Sequence, residues 1–252
     1  MRKKIKNNNI YWLYGKHPVD SAINNTSRII YKLLVTKNTN QLIDKYKAII
    51  QDKNIEVEVL TNNEISEKID IQESVHQGIA IQVKKLEFTS IEKLLKTVNE
   101  NSTILFLDQI TDPQNIGAII RSSLGFNVDA VITTKDNAPS ENSTLVKSSA
   151  GAFEYIPYIQ VTNISRVLNE LKENGYWIAS IVQNGNCSIQ EIAQFNKLAL
   201  IMGSEGKGVR DINLKQSDMT AKIEMSPKLE SLNVSNATAI VLHQLYILNN
   251  KK

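Results

Sequence analysis

A turn rich in glycine is the segment of this chain whose residue types most clearly suggest ligand binding. An apolar run ends at Met202, and three glycines follow within six residues, at Gly203, Gly206 and Gly208. Glycine lets the backbone adopt positive φ angles and lets a ligand approach the main chain closely. Ligands in open α/β sheets bind beyond the carboxyl ends of strands. The turn therefore predicts a binding site, with a tight surface turn as the simpler alternative.

The spacing of these glycines differs from two common nucleotide-binding motifs. A dinucleotide fingerprint has the order G-x-G-x-x-G, whereas the order here is G-x-x-G-x-G. A P-loop has a Ser or Thr after its lysine, whereas Gly208 follows Lys207 here. The carboxylate of Glu205, inside the turn, would repel a pyrophosphate but suits ribose hydroxyls or a positively charged ligand. The segment therefore favours a nucleoside-type ligand.

Two further segments combine polar side chains with predicted helix ends. Asn115 stands near the start of a predicted helix, and Arg121 lies further along it among apolar residues. A lone helical arginine is usually solvated or ion-paired, although its planar fork suits phosphate and developing oxyanions. In the second segment, Ser231 or Asn233 either caps the last helix or lines a pocket. A third small polar segment, 147–152, is either a loop facing RNA or a plain helix terminus.

The elements that must position these residues form two α/β units, because short apolar runs alternate with helical spacing. In the first unit the runs predict strands at 29–35, 57–60 and 79–83, and a helix at 40–51. In the second unit they predict parallel strands at 104–107, 128–132, 177–182 and 198–202, one ending at Val161, and a short one containing Ile223. Helices are predicted from Asp112-Pro113, over 164–172 and over 234–248.

These patterns predict four consecutive parts of the chain: a basic tail at 1–9, a small unit at 10–84, a linker at 85–102 and a second unit at 103–252. The net charge of the whole chain is +3, from 29 Lys and Arg against 26 Asp and Glu. Four of the cations are Arg2, Lys3, Lys4 and Lys6, so the remainder has 25 cations against 26 anions. Any contact with nucleic acid must therefore come from a local patch together with the tail.

Composition also narrows the class of protein. Apolar residues make up 42% and charged residues 22%, which is typical of a soluble globular chain and excludes a disordered or fibrous one. The single cysteine, Cys187, cannot form an intramolecular disulfide, and no Cys or His set has the spacing of zinc ligands. We expect no metal, no membrane span, no secretory signal and a cytoplasmic protein.

The three polar segments together resemble the SpoU (TrmH-type) family of RNA ribose 2′-O-methyltransferases, within the SPOUT superfamily. The resemblance is carried by 112–121, by the turn at 203–208 and by 231–235, which are similar to three motifs of that family in the same order. The first unit is similar to the family's small ribosomal-protein-like substrate-binding domain, through 15–19 and 75–78. The chain most resembles the RlmB-type subgroup, which methylates a guanosine of 23S rRNA.

The resemblance implies properties that the pattern of residues does not give. It implies a deep trefoil knot in the second unit, S-adenosylmethionine as cofactor, RNA as substrate and a homodimer. It implies cofactor contacts within or near the second and third motifs, at Met202, Gly203, Gly208, Ile223 and Leu232. It implies a site for the reaction made by Arg121, Asn115, Glu205, Ser231 and Asn233. Arginine stays protonated in proteins, so we expect Arg121 to stabilise charge rather than to remove a proton.

Two alternatives to an rRNA methyltransferase stay open at this point. One is a tRNA ribose methyltransferase, and the other is an RNA-binding ribosome assembly factor without catalysis. The chain also departs from the family pattern at Glu224, Pro227 and Asn236, near the third motif. Asn127 replaces a usual glycine, and asparagine is the residue that best tolerates left-handed backbone after glycine.

Overall fold

The computed structural model describes residues 9–70 and 76–249, which fall into two compact units. Among these residues, the first unit comprises the chain up to Glu87 together with Glu141–Glu154, and the second comprises Phe88–Ser140 and the chain from Tyr155 onward. The predicted basic tail, apart from residue 9, and Val75 of the segment 75–78 lie outside the described residues.

The first unit is built on a mixed four-stranded sheet. Its strands have the spatial order β1-β4-β2-β3, with β1 and β2 antiparallel to β4, and β3 parallel to β2. The strands and α-helices of residues 9–87 are β1 Ile10–Tyr14, α1 Lys16–Asn24, β2 Ile30–Val35, α2 Gln41–Lys45, α3 Lys47–Asp52, β3 Glu56–Val59, α4 Asn62–Lys68 and β4 Ile79–Lys84. The three strands predicted here from apolar runs are confirmed.

The prediction of one helix over 40–51 is wrong in one respect, because this segment forms two short helices, α2 and α3. Tyr46, between α2 and α3, leaves helical geometry with φ −104° and ψ 11°. Its ring is buried and its hydroxyl donates to the carboxylate of Asp20 on α1. A buried tertiary contact therefore decides the break, and no local sequence signal marks it.

A later segment of the chain, Glu141–Glu154, completes the first unit and is called the excursion below. Residues 141–154, which a division in chain order assigns to the second unit, contain α7 Ser143–Ser148 and cluster with the first. Arg28, whose side chain is fully buried, holds both ends of this excursion. Its Nη1 lies 2.6 Å from Glu141 Oε1 and its Nη2 lies 2.5 Å from Glu154 Oε1. The segment 147–152 contains the end of α7, so of its two predicted roles the helix terminus is the one that the structure has.

The second unit contains a six-stranded sheet in which all strands are parallel, in the order β10-β8-β9-β5-β6-β7. Its elements are α5 Ile91–Leu95, β5 Ser102–Asp108, α6 Pro113–Gly125, β6 Ala130–Thr134, β7 Tyr158–Val161, α8 Ile164–Glu173, β8 Trp177–Ile181, α9 Ile189–Ile192, β9 Lys197–Gly203, α10 Asp211–Leu214, β10 Met219–Ala221 and α11 Val234–Asn249. The expected α/β fold with a parallel sheet is confirmed.

Packing in the second unit follows from the apolar patterns. Strand residues such as Phe106 and Ile201 form one core with α8, through Leu168 and Leu171. Helices α6 and α11 pack against each other and contact β6 and β9. The ring of Phe126, just after α6, lies edge-on to His243 of α11 at 5.5 Å. The sheet thus holds α6 and α11 side by side, which sets the positions of two of the three polar segments.

Short-range signals placed the helix ends of this unit correctly. Asp112 caps α6, accepting hydrogen bonds from the main-chain N–H groups of Gln114 and Asn115 at 3.1 and 3.2 Å. Asn127 adopts φ +56°, the left-handed geometry expected for this substitute for glycine. One prediction is wrong: Ile223 lies in a loop, because the last strand ends at Ala221. No helix among the described residues is long and apolar enough to span a membrane.

Candidate active site

A cavity of about 970 Å³ opens beyond the carboxyl ends of β8, β9 and β10. Its walls come from the turn after β9, the ends of β8 and β10, and the loop that leads into α11. The sequence-predicted residues on its walls are Met202, Gly203, Glu205, Gly208, Ile223, Ser231 and Leu232. The volume is in the range of small-molecule sites, which is about 300–1,000 Å³. Two of the three polar segments therefore share one cavity.

The glycine turn is a narrow reversal of the chain. Ser204 and Gly208 face each other in an antiparallel bridge, and Gly208 N–H donates to Ser204 C=O at 2.9 Å. A Cβ on Gly203 would lie 2.1 Å from the carbonyl carbon of Gly208, so only glycine fits there. Gly206 and Gly208 have positive φ and nothing within 4 Å of an added Cβ. The open space beside their main chain leaves room for a ligand.

The loop between β10 and α11 forms the opposite wall. Residues 224–231 of this loop are exposed, and Gln183 Nε2 donates to the main-chain carbonyl of Glu230. Ser231 lies in this loop and is exposed, while Leu232 is half-buried. Lys222 and Glu224 form an exposed ion pair at 3.2 Å. Both signs of charge therefore border the cavity, unlike a site built for a polyphosphate.

A pair of side-chain amides joins the first and third polar segments. Asn233 Nδ2 donates to Asn115 Oδ1 at 3.1 Å. Asn233 Oδ1 accepts the main-chain N–H of Ser235 at 3.0 Å and its hydroxyl at 2.6 Å. Asn233 therefore caps α11 and holds Asn115 at the same time, which confirms the capping alternative, whereas Asn233 does not line the cavity. Among the described residues nothing accepts from Asn115 Nδ2, which leaves that group able to donate to a substrate.

Arg121 lies apart from this arrangement. Its side chain is exposed on α6, has no hydrogen-bond or ion-pair partner within the described residues and does not line the cavity. Leu124 follows one turn later and is 40% exposed. Exposed Ile240 and Ile247 lie on the neighbouring α11. Seven of the ten predicted site residues thus line one cavity, Asn115 and Asn233 form a hydrogen-bonded pair, and Arg121 belongs to neither group.

The sequence analysis missed two features of this site. Asp108, at the end of β5, binds Arg210 and Asn213 immediately after the glycine turn. Gln183 ties the loop before α11 to the end of β8. The only available signal for Asp108 was a carboxylate ending an apolar run that otherwise reads as a buried strand. Within the described residues, no group of three or more His, Cys, Asp or Glu side chains has the arrangement of a metal site.

Fold and cavity define an α/β protein with a cavity of small-molecule size at its strand ends, and family comparison gives its class. The model of the SpoU rRNA methylase family matches residues 102–243. A second model, for RNA 2′-O ribose methyltransferase substrate binding, matches residues 12–89. The chain belongs to the SpoU family of RNA ribose 2′-O-methyltransferases, as the resemblance of its three motifs predicted.

Individual relatives agree with this assignment. The 23S rRNA (guanosine-2′-O-)-methyltransferase RlmB of Coxiella burnetii is 34% identical over 241 residues, covering 92% of this chain and 94% of that protein. An uncharacterized tRNA/rRNA methyltransferase of Borreliella burgdorferi is 37% identical over 212 residues, covering 79% of this chain and 90% of that protein. The SpoU methyltransferase AviRb of Streptomyces viridochromogenes, solved with AdoMet, has a TM-score of 0.80 at 20% identity, covering 98% of this chain and 93% of that one.

Proposed function

We propose that this protein transfers a methyl group from S-adenosylmethionine to the ribose 2′-oxygen of a guanosine in 23S rRNA. The observation that carries the proposal is that the second and third family motifs line one cavity, while the first motif is joined to the third by the hydrogen bond between Asn233 and Asn115. The similarity to an RlmB protein over 92% of the chain favours the rRNA guanosine over other targets. The match of residues 12–89 to the substrate-binding model supports RNA binding by the part predicted at 10–84, with 103–252 as the methyltransferase unit.

The cavity suits S-adenosylmethionine. The main chain beside Gly206 and Gly208 is open to a ligand, as a nucleoside held by backbone groups requires. Met202, Ile223 and Leu232 supply apolar surface for an adenine ring. Glu205 supplies a carboxylate for ribose hydroxyls or for the positive charge of the ligand. When bound, S-adenosylmethionine supplies an activated methyl group on a sulfonium centre.

The residues of the chain would then act on the RNA. A ribose hydroxyl is a weak nucleophile until negative charge on its oxygen is stabilised. The guanidinium of Arg121 suits this role, because its fork binds a phosphate and stabilises a developing alkoxide. Asn115 Nδ2 donates to a substrate oxygen, since Asn233 engages Oδ1 of the same amide. Ser231 on the cavity wall holds the substrate or the motif turn, and positioning of the reactants supplies much of the rate.

A homodimer would complete the site. Arg121 lies on the same helix as the exposed Leu124, three residues further on, and α11, which packs against this helix, carries the exposed Ile240 and Ile247. Large apolar side chains exposed on two adjoining helices suit a surface that a partner covers. We propose that a second copy covers this surface and that Arg121 acts within the dimer. Sedimentation equilibrium should give a dimer, and Ile240→Glu should give a monomer without methyltransferase activity.

The family resemblance also underlies two further parts of the proposal. We propose that the second unit carries a trefoil knot, in which the segment leading into α11 passes through a loop of the chain. We also propose that the protein acts in the cytoplasm, where ribosomal RNA is found. A reducing compartment suits a chain whose single cysteine, Cys187, is unpaired.

The decisive experiment gives purified protein, with S-adenosylmethionine, to 23S rRNA transcripts and to a tRNA pool in separate reactions. Nucleotide-resolution mass spectrometry then locates any new methyl group. We expect one 2′-O-methylguanosine in 23S rRNA. Methylation of tRNA alone would support the tRNA alternative instead. Binding of both cofactor and RNA without methyl transfer to either would support the silent assembly factor.

A further inference from the structure

A buried carboxylate between two of the motifs has no role in the family assignment given above. Asp108 ends β5, and its side chain is fully buried. Oδ1 accepts a hydrogen bond from Arg210 Nε at 2.7 Å. Oδ2 accepts one from the main-chain N–H of Arg210 at 2.9 Å and one from Asn213 Nδ2 at 2.8 Å. Three donors therefore converge on one carboxylate.

The energetics indicate that this cluster is held in one geometry. Burying a carboxylate is costly unless it is paired and hydrogen-bonded, and here both conditions are met. One of the partners is a main-chain N–H group, so the carboxylate fixes the backbone at Arg210 as well as a side chain. Asn213 is itself completely buried, so its amide cannot turn to water instead.

Asp108 is adjacent to both limbs of the glycine turn. In the strand register Asp108 is paired with Gly203, where the turn begins. The return limb runs from Gly208 through the buried Val209 to Arg210, where Asp108 binds it. Since the two limbs are so close that a Cβ on Gly203 would overlap Gly208, a small shift of the return limb would change the shape of the turn.

The same residue also begins the loop that leads to the reacting side of the site. Gln109 follows Asp108 with φ +60°, a left-handed geometry that is rare outside glycine. Three residues later Asp112 caps α6, which carries Asn115 and Arg121. Asp108 thus connects the glycine turn to the β5–α6 loop through a single buried side chain.

We infer that Asp108 is a positioning residue for cofactor binding, which holds the return limb of the glycine turn through Arg210 and Asn213. This inference rests on the proposed use of S-adenosylmethionine. Asp108 does not line the cavity, so it acts through the backbone that does. Its loss should weaken cofactor binding while leaving the reaction of bound cofactor and RNA nearly unchanged.

The test compares Asp108→Asn with a matched control, Asp129→Asn. Asp129 binds the opposite end of the same strand, where its Oδ2 accepts the hydroxyl of Ser102 and the main-chain N–H of Thr103, both at 2.8 Å. Both carboxylates hold the backbone of the second unit, but only Asp108 adjoins the turn. Calorimetry measures the Kd for S-adenosylmethionine without RNA, steady-state kinetics separates KM from kcat, and a melting curve measures stability.

We expect Asp108→Asn to raise the Kd and KM for S-adenosylmethionine by about 10- to 100-fold, because the variant weakens the charged hydrogen bonds that hold the return limb in its binding geometry. We expect little change in kcat at saturating cofactor, and a Kd for Asp129→Asn equal to that of the natural protein. An unchanged Kd in folded Asp108→Asn would overturn the inference. An equal rise in Kd for Asp129→Asn would also overturn it, because general destabilisation would then explain the effect.

A second variant covers the possibility that Asp108→Asn does not fold. Asn213→Ala removes one donor and leaves the pair between Asp108 and Arg210, so we expect a smaller rise in Kd; no rise would contradict the inference. Binding of S-adenosylmethionine by the natural protein distinguishes failure of the proposed function from failure of the inference on Asp108. If the natural protein binds no S-adenosylmethionine, the proposed function fails, whereas binding without methylation of the tested RNA leaves the measurement on Asp108 valid.

Discussion

Two arginines, one in each unit, have opposite surroundings. Arg28 is fully buried, and its guanidinium contacts two carboxylates and the main-chain carbonyl of Lys84. Arg121 is exposed and has no such partner within the described residues. Burial alone lowers the pKa of Arg28, but hydrogen bonds to Glu154 and the charges of both carboxylates raise it overall. The guanidinium of Arg28 therefore stays protonated, and its donors are used within the protein.

The difference shows how the same side chain serves stability in one place and chemistry in another. The guanidinium of Arg28 donates four hydrogen bonds, and Tyr11 adds a hydrogen bond to Glu141 at 2.7 Å. Burial, with the charge of Glu141, raises the pKa of Tyr11 well above its usual value, so this hydroxyl stays protonated. Arg121 keeps its donors available, as a group that binds a phosphate or an alkoxide must. The predictions that follow separate these two roles.

The largest effect is expected from Arg28→Met, on stability. Both Glu141 and Glu154 would be left buried without a cation, which costs about 3–5 kcal/mol of unfolding free energy. Denaturant unfolding in a Trp177→Phe background leaves Trp12 as the only tryptophan and so reports on the first unit. The triple variant with Glu141→Gln and Glu154→Gln should recover part of the loss. If the unfolding free energy falls by less than about 1 kcal/mol, the cluster contributes no more to stability than an ordinary surface ion pair does.

Arg121→Ala should show the reverse pattern, with activity lost and stability kept. Removing one preorganised donor to a developing oxyanion lowers kcat by about 10²- to 10³-fold. The Kd for S-adenosylmethionine and the melting temperature should not change, because the side chain is exposed and unpaired. Arg166→Ala, at another exposed helical arginine, is the control and should leave kcat intact. Unfolding of Arg121→Ala would assign a structural role to this residue.

Gly203→Ala should act on cofactor binding. The added Cβ would meet the main chain of Gly208 at 2.1 Å, so the turn must open. We expect the Kd for S-adenosylmethionine to rise about 10-fold or more, because the extra methyl group cannot fit without displacing the binding groups of the turn. Gly125→Ala is the control, because an added Cβ at Gly125 meets nothing within 4 Å. Equal affinity in the two variants would mean that the turn does not hold the cofactor.

The smallest effect is expected at Asn233, where one side chain has two roles. Asn233→Ala removes the cap of α11 and should cost about 1 kcal/mol of stability. Asn233→Ser restores a capping oxygen but lacks the amide that donates to Asn115, so stability should return while kcat stays about 10-fold lower, as for the loss of one hydrogen bond of about 1.4 kcal/mol. Full activity of the Ser variant would show that holding Asn115 does not matter.

Short-range patterns predicted much of the fold. The cap at Asp112, the left-handed Asn127 and most strands and helices follow from preferences that act within a few residues. Ile223 was misplaced because an apolar residue beside a short strand carries no signal for where pairing stops. The break at Tyr46 was missed because a bond to Asp20, from another helix, decides it.

The sequence by itself determined which residues could do chemistry: the glycine spacing, the capped helix with Asn115 and Arg121, and the polar segment before α11. Only the tertiary structure decided which of them meet. Asn233 and Asn115 are 118 residues apart, and Asp108 and Asn213 are 105 apart. Arg28 likewise holds Glu154 across 126 residues. Such contacts depend on strand order and on where the chain returns, and no local preference encodes either.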